Sequence, residues 1–196
     1  MKNIDSLREA KLLFSAGRLE KSIEYFTIAL ENGADTADTC LNRGAAEMAA
    51  GRYQEAEADF SRVIEQDAEH ERARYFRGVA RIGLGDYNGA IEDLTFSLIR
   101  NNDRGIAHLL RGVAYSELGN ERDAVLDLNS AKAFSDAELK SFKKLFGDMP
   151  AFTRTKALMT KKNAPWNNLL SNDALQVLSG LGAEKDPDDG GIARSS

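Results

Sequence analysis

Apolar residues fall at helical spacing along most of this chain. Leu7, Ala10, Leu12, Leu13 and Phe14 are carried by one predicted helix, and Ile23, Phe26, Ile28, Ala29 and Leu30 by the next. No stretch alternates apolar and polar residues for long enough to suggest a sheet. The first helix is expected to start near Ser6, which with Glu9 has the spacing of a capping box, and to end at Gly17. Its partner stops at Asn32-Gly33. Further helices are predicted over Ala37–Ala50, Tyr53–Gln66, Arg72–Leu84, Tyr87–Ile99, Ile106–Leu118 and Glu121–Ala133. The short connections between them suit antiparallel neighbours.

The pattern repeats with a period of 34 residues, carried by the turn glycines Gly17, Gly51, Gly85 and Gly119. In the same register stand Ala10, Gly44, Gly78 and Gly112 on the first helix of each pair. Ser22, Ala56, Ala90 and Ala124 follow on the second, and then Phe26, Phe60, Leu94 and Leu128. Small residues on both helices let their backbones approach. Glycine inside a helix costs about 1 kcal/mol relative to alanine, so three at matched positions imply that close packing offsets the loss. The turn glycines can take the left-handed conformation that ends a helix. The large residue fills the seam. A fixed period of this size is the mark of a stacked repeat protein.

Small, aromatic and glycine residues at these offsets resemble the tetratricopeptide repeat over residues 3–136. The resemblance implies an all-α, right-handed solenoid of four helix pairs, near 3–36, 37–70, 71–104 and 105–138. It implies a protein-binding role and says almost nothing about the partner.

Beyond the repeats, Ser135 and Glu138 have capping-box spacing. The next predicted helix sets Leu139, Phe142, Leu145 and Phe146 against Lys140, Lys143 and Lys144. It reads as the cap that a solenoid's last repeat needs. Pro150 can open a further helix at its first position. Pro165-Trp166 and a short apolar segment from Leu169 to Leu181 follow, with Asn172 as its cap. The helical extension is expected over 136–182, and the polar, glycine-containing residues 183–196 are expected to be disordered.

Composition narrows the function classes. With 42% hydrophobic and 29% charged residues among 196, the chain reads as soluble and globular. A net charge of −5 argues against nucleic acid as the main partner. With charges throughout the start, no secretory signal is expected there, and no run approaches the length that spans a bilayer. The lone Cys40 can form no internal disulfide, which fits a reducing cytoplasm. The two histidines, His70 and His108, lack the spacing of a metal site, and Cys40 has no activating base by pattern. No phosphate-cradling loop is present, so neither catalysis nor a metal or other cofactor is expected. The basic stretch from Lys140 to Lys162 holds seven Lys or Arg and one acid, and reads as the solvated face of capping helices rather than a membrane-surface site.

Arg43, Arg77 and Arg111 precede the repeat glycine, and Asp59, Asp93 and Asp127 stand on the second helices. A ladder tying adjacent repeats is expected, Asp59 to Arg77 and Asp93 to Arg111.

The working surface implied by the resemblance is the concave side, lined by the first helices. Carried across, its positions are Leu7, Lys11 and Phe14 in the first repeat. The second repeat gives Asp38, Leu41, Asn42, Ala45 and Met48, and the third Arg72, Tyr75, Val79 and Ile82. The fourth gives Leu109, Val113 and Ser116. A mostly apolar groove of this size is seldom left bare. The expected occupant is an amphipathic helix or extended apolar segment of another protein. The chain's own segment from Trp166 is a second candidate, because a tether raises effective concentration to the millimolar range. The same segment docked in a neighbouring copy would make a homodimer.

A subclass of the family binds acidic chaperone tails through a carboxylate clamp. Asn42 matches its second-repeat asparagine and Arg72 can stand for a third-repeat lysine, whereas Leu7, Lys11 and Phe76 depart from it. A co-chaperone, or a chaperone holding a client such as a secretion substrate, is therefore the alternative reading.

Overall fold

The computed structural model describes residues 2–102, 104–131, 149–166 and 168–179. Four helix pairs follow one another: α1 (Lys2–Ser15) with α2 (Leu19–Glu31), α3 (Thr36–Ala49) with α4 (Tyr53–Gln66), α5 (Glu71–Leu84) with α6 (Tyr87–Arg100), and α7 (Gly105–Glu117) with α8 (Glu121–Ser130). Two more helices are α9 (Pro150–Met159) and α10 (Asn172–Ser179). No strand occurs among the described residues.

Helices α1 to α8 each pack on their neighbours in the chain. First helices α1, α3, α5 and α7 also touch one another in order, and no second helix approaches the next second helix as closely. The first helices thus form the inner layer and the second helices the outer one.

The period explains the packing. A methyl group built on Gly44 would lie 2.7 Å from the Phe60 ring, one on Gly78 2.9 Å from Leu94 and one on Gly112 3.2 Å from Leu128. The small residue and the large one 16 positions later are therefore fitted to each other. The turn glycines work differently: Gly51 and Gly85 have φ of +76° and +79° with open space where a side chain would go, so backbone conformation alone selects glycine there.

Side chains start the helices. Asp35, His70, Asp86 and Asn120 accept hydrogen bonds from the amides of Asp38, Ala73, Gly89 and Asp123. The helix boundaries of repeats two to four lie within a residue or so of those expected, up to the end of α8. Two expectations need correction. Helix α1 begins at Lys2, so Ser6 and Glu9 lie inside it. The cap of α10 is Ser171, whose Oγ accepts from the Ala174 amide, while Asn172 is the first helical residue. Pro150 opens α9 as expected. The cap helix predicted from Ser135, with Leu139, Phe142, Leu145 and Phe146, and the tail 183–196 lie outside the described residues.

The arginines and aspartates do form a ladder, but within repeats. Arg43 Nε and Nη2 donate to both Asp59 oxygens at 2.7 Å. Arg77 meets Asp93 at 2.8 Å, and Arg111 meets Asp127 at 2.7 and 2.8 Å, in the same bidentate way. The expected Asp59–Arg77 and Asp93–Arg111 pairs do not form. Each aspartate stands directly across the helix pair, and its fork uses up Nε and Nη2. The remaining Nη1 reaches the preceding repeat instead, donating to Thr27, Ser61 and Thr95 respectively. The link between repeats is thus arginine to hydroxyl, and those hydroxyls share the 34-residue period.

Candidate functional site

The inner layer divides into two halves. In the first two repeats Leu7, Phe14, Asn42 and Ala45 are half-buried and Lys11 is exposed, while Leu41 and Met48 are buried. A cavity of about 390 Å³ lies along α1 between Leu7, Arg8, Lys11, Leu12 and Ser15. In the last two repeats most of the stripe is buried. Tyr75, Val79, Ile82, Leu109, Val113 and Ser116 are all buried, and only Arg72 is exposed.

The polar groups of the open half are mostly paired. Lys11 Nζ lies 3.0 Å from an Asp38 carboxylate oxygen. Asn42 Nδ2 donates to the Asp38 carbonyl at 2.7 Å and to its carboxylate at 3.2 Å. An internal carboxylate therefore already holds Lys11 and Asn42. The Arg72 guanidinium lies 5.4 Å from the centre of the Phe76 ring and pairs with no carboxylate among the described residues.

Helix α9 packs on α7 and turns Ala151, Phe152, Thr155 and Met159 inward. Its outer face is pinned by Arg154. The guanidinium donates to Glu117 at 2.7 to 3.0 Å and to the Tyr87 hydroxyl at 3.0 Å. Tyr87 in turn donates to Glu117 at 2.8 Å. Burial first, and then the Glu117 carboxylate, push the Tyr87 hydroxyl above its ordinary range, so it stays a donor. Sequence reasoning missed this cluster. Its signal was a break in the period: Glu117 stands where Ser15, Ala49 and Gly83 stand in the other repeats.

The apolar segment from Trp166 lies on the other layer. Pro165, Trp166 and Leu169 border a cavity of about 410 Å³ with Val125, Leu126 and Asn129 of α8. The Asn129 amide donates to the Leu169 carbonyl and accepts from the Ser171 amide. Helix α10 packs on α8 and α9. The basic residue Lys156 donates to the Ser179 carbonyl and so joins α9 to α10.

The groups considered for chemistry have structural partners. His108 places Nδ1 2.9 Å from Asp127 and Nε2 3.1 Å from the Asn102 carbonyl. Burial pulls the Asp127 carboxyl upward, but hydrogen bonds from Arg111 and His108 outweigh it and hold it below its ordinary range. Burial pushes the Cys40 thiol up, away from the thiolate. Among the described residues no cluster of His, Cys, Asp or Glu has the makings of a metal site, and no helix is long and apolar enough to cross a membrane.

The sequence profile of the tetratricopeptide repeat family matches residues 7–71, 41–95 and 75–138, most of the chain. This chain is a tetratricopeptide repeat protein. Its fold is similar to MamA 41-end from Desulfovibrio magneticus RS-1, with a TM-score of 0.64 at 19% identity over 83% of this chain and 98% of that one. A MamA RS-1 double mutant gives 0.68 at 14% identity over 91% and 93% of the two chains. A thermophilic tetratricopeptide repeat protein of Thermus thermophilus gives 0.58 at 18% over 91% and 98%. At such identities the likeness is one of fold. No curated protein matches the chain in sequence. The architecture is that of a protein-interaction scaffold.

Proposed function

We propose that this tetratricopeptide repeat protein is a non-catalytic adaptor that binds an apolar helical or extended segment of another protein on its inner face. The observation that carries this reading is the contrast within that face. Leu7, Phe14 and Ala45 keep apolar surface available in the first two repeats, and Arg72, with no carboxylate partner among the described residues, stands at the boundary. A partner segment with apolar residues for Leu7 and Phe14 and an acid for Arg72 matches this layout. The client-holding chaperone reading shares the same surface. The acidic-tail reading is less well supported, because Asp38 already occupies Lys11 and Asn42. Homodimerisation through the segment from Trp166 is a further reading, favoured by exposed Leu126 and Leu169 beside Trp166.

The test is capture of partners by the immobilised chain, compared with Leu7→Asp and Arg72→Glu variants. Leu41 and Tyr75 are poor choices because both are buried. A partner lost with both substitutions, with the fold intact by circular dichroism, supports the reading. A partner retained by both overturns it. Sedimentation equilibrium of the wild type and of Leu169→Asp distinguishes a homodimer from a partner in trans.

A further inference from the structure

We propose that the hollow between α8 and the turn at Trp166 is the contact of a two-fold dimer, in which each copy covers the other's Leu126 and Leu169. This rests on the homodimer reading and specifies its surface, its symmetry and the charges that pair across it.

The repeat period shows what is different at this end of the molecule. Thr27, Ser61 and Thr95 each accept a hydrogen bond from the arginine of the next repeat. Asn129 continues that row. It is bonded instead to the backbone of Leu169 and Ser171, so the chain's own turn stands where a following repeat would dock. The turn fills that place incompletely. A cavity of about 410 Å³ remains against Val125 and Trp166, and beside it Leu126 and Leu169 are 59% and 63% exposed. In the other repeats the position of Leu126 holds Glu24, Ala58 and Glu92, all of them exposed. Only in the last repeat does this solvent-facing position carry a large apolar side chain. Exposed apolar side chains grouped around a hollow mark a contact surface.

The occupant follows from what the patch itself carries. It has both a hollow and protruding leucines, so two copies related by a two-fold axis can each fill the other. Its rim holds Glu121 and Arg122, neighbours of opposite sign, and neither has an ion partner among the described residues. A two-fold axis sets Glu121 of each copy against Arg122 of the other. Those reciprocal pairs matter because each chain carries a net charge of −5, so two copies repel except where the contact brings its own opposite charges. A foreign segment would have to supply both signs. Helix α8 belongs to the outer layer, so the dimer leaves Leu7, Phe14 and Arg72 of both copies free. The adaptor then holds two partner segments at once.

The test is sedimentation equilibrium of the full chain over a concentration series. The emission of Trp166, the sole tryptophan, is read in parallel. The wild type is expected to dimerise, with the emission moving to shorter wavelength in step. Leu126→Asp is expected to raise the dimer Kd at least about 10-fold, and the exposure of Leu126 lets the fold survive the change. Glu121→Arg and Arg122→Glu are each expected to weaken association alone and to recover it when mixed, because each variant supplies the charge the other lacks. A merely structural role for these residues gives no such recovery. Circular dichroism checks the fold of every variant. A wild type that stays monomeric up to about 1 mM overturns the proposal. An emission shift that then appears only with a captured partner assigns the hollow to a foreign segment. A dimer indifferent to Leu126→Asp, or lost with Leu7→Asp instead, overturns the proposal and leaves a homodimer through another surface. Charge variants that associate as tightly as wild type, or a mixture that does not recover, overturn the two-fold pairing. Partner capture that depends on Leu7 and Arg72 in a monomeric chain sinks this inference alone and leaves the adaptor reading standing.

Discussion

Two kinds of seam hold this molecule together, and they are built differently. Between the helices of a repeat, a bidentate arginine–aspartate pair sits almost out of water: Asp93 is 1% exposed and receives Arg77 and Arg81 at 2.8 and 2.9 Å. The apolar surfaces on either side are cut to each other, glycine against phenylalanine or leucine. Between the repeats and α9, the pin is half-solvated and a void remains. The first design cannot be opened without stranding a buried charge. The second can. One chain thus contains a scaffold locked by buried charge and a helix held by the burial of Phe152 and Met159.

Substitutions can break or sharpen that contrast. The largest effect is expected for Asp93→Ala, which leaves the Arg77 guanidinium without its carboxylate and Arg81 with only Glu57 and Asp86. Urea unfolding should show a loss of about 3–5 kcal/mol, the usual result of breaking a buried pair from one side. A loss below about 1 kcal/mol would mean the repeat seams are no stronger than the α9 seam.

Glu47 tests the scaffold from another side. It is buried, lies 3.7 Å from Arg43, and its Oε2 has no hydrogen-bond partner. Burial, reinforced by Asp59, pushes its carboxyl up to about 7 from an ordinary 4.5. A folded value above the unfolded one means the protonated form is favoured by folding. That stability is complete below about pH 4.5 and is lost as pH rises through about 7. Glu47→Gln should therefore leave stability unchanged at pH 4 and raise it by about 2–3 kcal/mol at pH 9. Melting temperatures across that range decide it: parallel curves for both proteins would refute the assignment.

Gly44→Ala probes the fit of the apolar seam. The added methyl would press on the Phe60 ring at 2.7 Å, and about 1–3 kcal/mol should be lost to overpacking. A companion Phe60→Leu substitution should recover part of it. The smallest effect belongs to Arg154→Ala, expected to change global stability by less than about 1 kcal/mol because the arginine side of its pair with Glu117 is 55% exposed. A loss comparable to that of Asp93→Ala would erase the distinction between the two seams.

How much of this was legible in the chain depends on distance along it. The helix pairs of repeats two to four and their turn glycines follow from residues inside one 34-residue window, where spacing fixes which side chains share a face. The small–large contact of Gly44 with Phe60 was legible for the same reason. So was the existence of an arginine–aspartate ladder, though not its register. Both carboxylates within reach of Arg77, Asp59 before it and Asp93 after it, carry the same letter and sit in the same period. Only the observed crossing of the helices selects Asp93. The concave stripe was readable as a row of positions. Which part of it remains open was not, because Val79 and Val113 look no different from Ala45 in sequence, yet they are buried and Ala45 is not.

The sequence by itself determined the repeat: where helices begin and end, which small residue receives which large one, and which residues can face inward. These are local matters, settled by backbone preference and by side-chain spacing on a helix. The tertiary structure alone decided that Arg77 takes Asp93, that Lys11 and Asn42 share Asp38, that α9 rests on α7 while Trp166 lies against α8, and that half of the inner face is buried. Those outcomes join residues far apart in the chain. Their energies come from the angle and distance at which whole helices meet, which no short stretch of sequence encodes.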